Sequence, residues 1–542
     1  MFEKGLKVFG DRAWNGGMKE LTQLNDREVF APTLVNDLTP EEKEKAQEAL
    51  LFVTEKRDLT VKGRLCYNGK PLRAWTDKED TASPTVSQEG VTLTSAIAAK
   101  EGRDKMSGDV PNAFVQANMP AAQLQGGDRV IMKVTGSLAK VLVQLDPNKY
   151  EKFMVFENGR PVIYLIVLKA IYGLLVAALI WYQKFRTDLE GIGFVFNNYD
   201  PCVCNRTVYG KQHTVCFHVD DLFSTHMEPR VNDEFEAWLN KMYGEYSEVK
   251  TTRGDIHDFL GVIYDFSEPG KVKLDMIDYV QQMLDEFPVK FTEKDSVANP
   301  AATDLFEVGN GELLDAKTKK EFHTFTAKGL FLCGRARLDI KQVIAVLCTR
   351  VQNANQNDWN KLVRLMLFLH STKMDKLILT VDDLHVIKWW IDVSFAVHPD
   401  FKSHSGAAMS LGLGAAITGS QKQKLNTRSS TESELVGVDD FMTKVLWTQL
   451  FMEEQGYEIE KNILYQDNKS AILLEKNGKK SSSKRTRAIN IRYFFVTDAI
   501  EKGLLTVEHC PTGDMIADYM TKPLQGQLFE KFRNLIMGNE SV

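Results

Sequence analysis

Two sets of carboxylates in this chain have the types and settings that divalent-metal chemistry requires. In HTVCFHVDDLFST (213–225), Asp220 and Asp221 stand side by side between apolar flanks, which predicts a hairpin with both acids at its tip. An Asp pair in a turn is ordinarily turn chemistry. Here the apolar flanks make the hairpin central, where two charges need a partner, and a divalent cation is the natural one. Asp109 opens the strand-like run DVPNAF (109–114) and completes a triad able to hold two Mg²⁺ ions. Such a pair clamps the attacking and leaving oxygens of a phosphoryl transfer.

The second set is Asp392, Glu432, Asp467 and Asp518. In VIKWWIDVSF, alternation puts Trp390, Asp392 and Ser394 on one face, and a mid-strand carboxylate points to a site. Glu432, in SSTESELVGVDDF, has an ordinary role as third residue of a capping box opened by Ser429. Asp467, in ILYQDNKSAILL, reads alone as a helix N-cap, and Asp518, in TGDMIADYMTKP, as a solvent-facing helical residue. Four carboxylates acting together would suit two metal ions.

These acids must be positioned by a long chain. Its 542 residues predict about three to five domains. With 43% hydrophobic and 26% charged residues it has a globular composition, which excludes wholesale disorder. A net charge of −6 excludes a histone-like polycation but leaves room for a local basic groove. Seven scattered cysteines, with Cys202-x-Cys204 the only close pair, read as reduced thiols of an intracellular protein and give no zinc-knuckle spacing. No apolar h-region follows the first residues, so no secretory signal is expected.

Val162 to Tyr182 is long enough to span a bilayer, interrupted only by Lys169, and a membrane helix is one reading. Its texture favours another. Residues 162–168 are β-branched and aromatic, Lys169 to Gly173 breaks the run, and AALIWYQKFRTDLEGIG continues with helical spacing. Thr39-Pro40-Glu41-Glu42 starts a helix in 39–53, and 274–287 has one apolar helical face. TEKDSVANPAATD reads as a linker, 316–372 as mostly helical and 375–395 as strands. The small-residue run 405–420 predicts strands and tight turns, and 430–455 a long helix. A strand at 463–466 and helices at 468–476, 489–501 and 513–521 follow.

The order DVPNAF, KAIYGLLVAALIWYQKF, GF-x5-DPCV, FHVDDL and FLG resembles the polymerase core of retroelement reverse transcriptases, in particular the copia-like class of long-terminal-repeat retrotransposons. The words SSTESE, YQDNKSAI, NIRYFF and ADYMTKPL resemble the ribonuclease H of the same class. The resemblance runs from about residue 60 to 538, polymerase first. It implies an α+β fold: a right-hand polymerase (fingers, palm and thumb), a helical and stranded connection, and a C-terminal ribonuclease H-like α/β domain. The implied boundaries are 1–59 for an N-terminal extension, 60–290 for the polymerase, 291–384 for the connection, 385–525 for the ribonuclease H-like domain and 526–542 for a tail.

By the same resemblance, Asp109, Asp220 and Asp221 hold one metal pair, and Asp392, Glu432, Asp467 and Asp518 the other, with Mg²⁺ or Mn²⁺. Phe114 is the aromatic gate against a ribose 2′-hydroxyl, and Lys62 and Arg64 contact the triphosphate. Phe259, Leu260 and Gly261 grip the primer. His509 corresponds to a mobile His that assists product release. The basic run Lys479, Lys480, Lys484, Arg485 and Arg487 has two readings, a track for the phosphates of a hybrid duplex and a solvated charged loop. Implied partners are an RNA template, a DNA primer, an RNA–DNA hybrid, deoxynucleoside triphosphates, and the element's integrase and capsid proteins. The implied location is a cytoplasmic virus-like particle or the nucleus. No protease word Asp-Thr/Ser-Gly and no His-His-Cys-Cys pattern occurs, so the C-terminal portion of a polyprotein, or a separate reading frame derived from one, is expected.

The pattern also departs from the family. Leu175-Val176 and Ala178 stand where many members carry Lys-Gln and Pro, and Leu338 where Arg-Pro-Asp is common. The first puts a contact to the incoming nucleotide in doubt. It leaves open a second reading, a degenerate element that binds nucleic acid or is inert.

Overall fold

In the computed structural model, all residues are described except 1, 56–58, 75, 78, 80, 125–128, 479–489 and 540–542. The described residues form a mixed α+β protein built on four sheets. The first has the order Phe30–Thr33, Arg160–Val167, Ile131–Thr135, Gln47–Glu55, Val61–Tyr67, with Val155–Glu157 also paired to Arg160–Val167. The capping box at Thr39 forms as expected, but its helix ends at Lys45 and Gln47–Glu55 is a strand. β-branched and aromatic residues in LLFV suit a pleated surface better than a helix.

Two strands of residues 1–59, Phe30–Thr33 and Gln47–Glu55, thus belong to this sheet. Phe30–Thr33 forms its edge. The helix Asp11–Asp26 lies on Val61–Tyr67, where a Cβ on Gly16 would come within 2.5 Å of the Val61 carbonyl oxygen. Buried Glu20 accepts a hydrogen bond from the Leu65 amide at 3.0 Å.

The second sheet runs Lys250–Arg253, Asp104–Asp109, Asp221–His226, Lys211–His218, Val203–Val208, Val195–Phe196, with every pairing antiparallel. The segment that could pass for a membrane span is divided between these sheets. Arg160–Val167 is a buried strand, and Ala177–Gly191 is a helix whose Trp181, Phe185 and Leu189 enter the core. No helix among the described residues is long and apolar enough to cross a membrane.

A third sheet joins Ile256–Phe259, Val262–Asp265, Lys271–Asp275 and Leu377–Thr380, so the helices Ala316–Cys333, Lys341–Arg350 and Gln356–Ser371 leave and return to it. The fourth has the order Ile417–Lys422, His404–Ser410, Val386–Ser394, Lys461–Gln466, Thr506–His509, antiparallel in its first half and parallel in its second. The helix Ser430–Glu454 packs on it and also reaches the second sheet's surroundings. Lys444 pairs with Glu89, Trp447 Nε1 donates to the Tyr199 carbonyl at 2.9 Å, and Asn198 Nδ2 donates to Glu454 at 2.7 Å. All seven cysteines are free thiols.

The expected C-terminal tail is instead a structural member. The helix Gly526–Met537 buries Phe529, Phe532, Ile536 and Met537. Its Arg533 donates to Asp339 Oδ2 at 2.9 and 3.0 Å, while Arg337 grips both oxygens of the same carboxylate at 2.9 and 3.0 Å. Burial alone would raise the Asp339 pKa, but the two guanidiniums outweigh it and hold it down to about 2. Because the folded value lies below the unfolded one, this carboxylate stabilises the fold above pH ~4 and loses that contribution as pH falls toward 2. Asp339→Asn leaves buried Arg337 without a carboxylate and Arg533 with Asp375 alone, and should cost about 3–5 kcal/mol. Thermal melting of the variant checks this, and an unchanged Tm would contradict it.

Candidate functional site

Asp109 and Asp221 are register partners on adjacent antiparallel strands, and His218 pairs with Asp221 to close a two-residue turn made of Val219 and Asp220. The turn is held from two sides. The Val110 amide donates to the Asp220 carbonyl at 2.9 Å, and buried Trp181 donates through Nε1 to the Val219 carbonyl at 2.6 Å. Val219 has φ +60°, a conformation that a β-branched residue adopts only under constraint. The three acids thus occupy one end of the sheet. Asp221 is solvent-accessible in crowded surroundings. Partial desolvation, then the Asp220 and Asp109 carboxylates, push its pKa up to about 6.

Other expected residues gather around this triad. Lys62 and Arg64 share one exposed face of Val61–Tyr67. The Arg64 guanidinium lies 4.0 Å from the centre of the Tyr172 ring, and Phe114 meets that ring edge-on at 4.8 Å. Tyr172 was not singled out from sequence. It links the cation, the aromatic and the acids, since Asp220 and Asp109 both act electrostatically on its hydroxyl. Gly173 makes this possible. It has φ +86°, and a Cβ there would stand 2.1 Å from the Tyr67 carbonyl oxygen. Phe259, Leu260 and Gly261 form a tight hairpin in which Phe259 opposes Val262, Leu260 has φ +54° and Gly261 φ +76°. The hairpin lies close enough for Asp258 to act on Asp221.

The second set assembles with one correction. Among the described residues, oxygens of Asp392, Glu434 and Asp467 lie within 4.8 Å of one another. Glu432 is outside that group. Its amide donates to Ser429 Oγ at 3.2 Å and its carboxylate accepts from the Arg428 amide at 2.8 Å, so it caps the exposed helix start. Two residues on, about 200° around the helix, Glu434 points at the sheet. It is 5% exposed, and its Oε2 has no hydrogen-bond partner among the described residues. Gly437 lets the helix approach: a Cβ there would come within 2.3 Å of Val393 Cγ2.

Asp467 ends the strand Lys461–Gln466, but the N-cap of the next helix is Asn468, whose Oδ1 accepts from the Ser470 and Ala471 amides at 3.1 Å. Capping duty thereby passes to Asn468 and leaves the Asp467 carboxylate for the cluster. Opposite Asp392 on the neighbouring strand is Gly406. A Cβ on Gly406 would come within 2.7 Å of Met520 and Thr521, so this glycine admits the short helix Asp518–Thr521. Asp518 is buried there and not solvent-facing, and Thr521 Oγ1 donates to Asp392.

Burial first, then like charge, raises the pKa of three acids. For Glu434 the charges are Asp392 and Asp467, and for Asp467 and Asp518 the charge is Asp392. His509 opposes Gln466 and acts on Asp467 through space. The basic run Lys479, Lys480, Lys484, Arg485 and Arg487 lies outside the described residues.

Three carboxylates converging on one point, one of them buried with an unbonded oxygen, form a hard oxygen donor set that fits Mg²⁺ or Mn²⁺. Asp109, Asp220 and Asp221 are neighbours at the end of the second sheet, but among the described residues only the Asp392, Glu434 and Asp467 oxygens converge closely enough to share one ion.

No family model matches the chain. Similar proteins include the retrovirus-related Pol polyprotein from transposon TNT 1-94 of Nicotiana tabacum, 23% identical over 88% of this chain and 34% of its own length. Those from transposons RE2 and RE1 of Arabidopsis thaliana are 26% and 25% identical over 88% of this chain and 30% of their own length. The chain thus spans about a third of the length of these relatives. Over 88% of its length the chain is thus similar to the retrovirus-related Pol polyproteins of copia-type transposons.

Proposed function

We propose that the chain is an RNA-directed DNA polymerase joined to a ribonuclease H. The observation that carries the reading is the pairing of Asp109 with Asp221 beside the Asp220 turn. It supports a site in which these three carboxylates serve a primer end and a nucleotide triphosphate. In this reading the second sheet is the palm, the first sheet supplies the fingers, and the hairpin at Leu260-Gly261 supports the primer. The fourth sheet is the nuclease.

Bound divalent cations would lower the pKa of the primer hydroxyl or of water and neutralise phosphate charge. The protein's own residues do the rest. Arg64, seated on Tyr172, offers guanidinium N–H groups to the triphosphate. Phe114, braced by the same ring, closes the space beneath the sugar. Trp181 fixes the carbonyl of Val219 and so the direction of Asp220 and Asp221.

The substrates are deoxynucleoside triphosphates on a primed RNA template, followed by the RNA strand of the resulting hybrid. The test is primer extension on a labelled RNA template with Mg²⁺ and four deoxynucleotides, with template cleavage followed in the same tube. Both products are expected. Template binding without either product would overturn the reading in favour of a relic whose nucleotide pocket, around Leu175-Val176, no longer works.

Phe114→Val tests the pocket more finely. Opening the space beneath C2′ should reduce discrimination against ribonucleotides about 10- to 100-fold. Competing incorporation of a ribo- and a deoxynucleotide measures it.

A further inference from the structure

Lys522 stands in the sequence only as one letter of the word ADYMTKPL, with no role of its own. Its position gives it one. Its Nζ lies 2.6 Å from Asp518 Oδ1 and 3.4 and 3.5 Å from the two oxygens of Asp392. Both carboxylates are almost fully buried, while the Lys522 side chain is 37% exposed and so reachable from solvent. The backbone fixes this placement, since the Lys522 amide donates to the Asp518 carbonyl at 2.8 Å and Pro523 follows.

The ammonium thus divides the four acids of the second site. Asp392, Glu434 and Asp467 converge as a group of three. Asp518, absent from that group, is committed to Lys522. Asp392 belongs to both, touched by the ammonium and facing the triad. A cation in the triad and the ammonium would therefore flank one carboxylate. A second divalent ion between Asp392 and Asp518 would need the volume that Nζ fills, and would set two positive charges against each other.

We infer that Lys522 is a built-in cation of the nuclease centre: it takes the place of the second divalent ion between Asp392 and Asp518, leaves one ion to the triad, and presents its remaining N–H to the scissile phosphate. The inference rests on the nuclease reading for its substrate, but its ion count does not. A lysine ammonium can do this because it is a compact point charge with three donors, two of them used by the carboxylates here. No proton or electron changes owner in this role. The charge lowers the cost of the developing oxyanion.

The test counts ions on the full chain carrying Asp109→Asn, Asp220→Asn and Asp221→Asn, so that only the second site contributes. Free Mn²⁺ is followed by electron paramagnetic resonance during titration. One bound ion is expected with Lys522 present. Lys522→Met should bind two, Lys522→Arg one, and Glu434→Gln should lose the ion.

Cleavage of an RNA–DNA hybrid by chains with the first site intact gives the second readout. Lys522→Met should lower kcat about 10²-fold with KM for the hybrid unchanged, and Arg should restore part of it. Two ions bound with Lys522 in place, or one ion in both parent and Lys522→Met, would overturn the inference. An ion count that follows Lys522 without hybrid cleavage by any chain would uphold the fixed cation and overturn the nuclease reading instead. Circular dichroism of the Met and Arg variants separates loss of fold from either result.

Discussion

Asp221→Asn is expected to lower primer extension by about 10³-fold, or ~4 kcal/mol of transition-state stabilisation, with primer–template binding unchanged. The substitution keeps size and removes only charge. Its effect on stability should have the opposite sign. The folded pKa of Asp221, about 6, lies above the unfolded value, so the ionised side chain opposes folding at neutral pH. That cost fades as pH falls through 6, where the acid takes up its proton. The variant should therefore melt no lower than the parent at pH 7 and lose any advantage near pH 4. Greater stability with lost extension marks a carboxylate kept for chemistry. Extension at the parent's rate would remove Asp221 from the reaction. A collapse in Tm would make it a structural residue.

The second large effect separates two glutamates on one helix. Glu434→Gln should lower hybrid cleavage about 10³-fold, because it removes a charge from the converging triad. Glu432→Gln should leave cleavage intact and cost no more than about 0.5–1 kcal/mol through the weakened helix start. Both chains are assayed on the same labelled hybrid, and the reverse pattern would return the role to Glu432.

The difference between those glutamates shows what a sequence can carry. Asp220 and Asp221 were legible because a hairpin tip is a local structure, and apolar flanks announce it. Asp109 needed only the assumption that its strand lies next to that hairpin, and it does. Glu432 and Glu434 share one helical turn, and the choice between them depends on the phase of the helix. The helix conceals its phase, since Ser433 through Val438 are all buried and no polar stripe orients it.

Asp467 and Asn468 failed in a similar way, as neighbours either of which could cap. The residues that no pattern announced act through close approach. Gly406 and Gly437 sit in ordinary-looking runs, yet each admits a helix to the Asp392 strand. Tyr172 and Lys522 acquire roles only from partners far along the chain, Arg64 and Asp392. The strands before residue 59 were hidden because their pairing partners lie up to 137 residues away, as Phe30 with Val167.

The Asp339–Arg533 contact also sets a schedule for synthesis. The two residues are 194 positions apart, so at about 5–20 residues per second Asp339 leaves the ribosome some ~10–40 s before Arg533 exists. During that interval the carboxylate has only Arg337, and the surface that receives Phe529, Phe532 and Ile536 is bare. The chain must carry an open apolar seam through the making of its entire fourth sheet. A nascent chain stalled within residues 400–520 is thus the form most exposed to chaperone capture, and completing the last helix closes the seam.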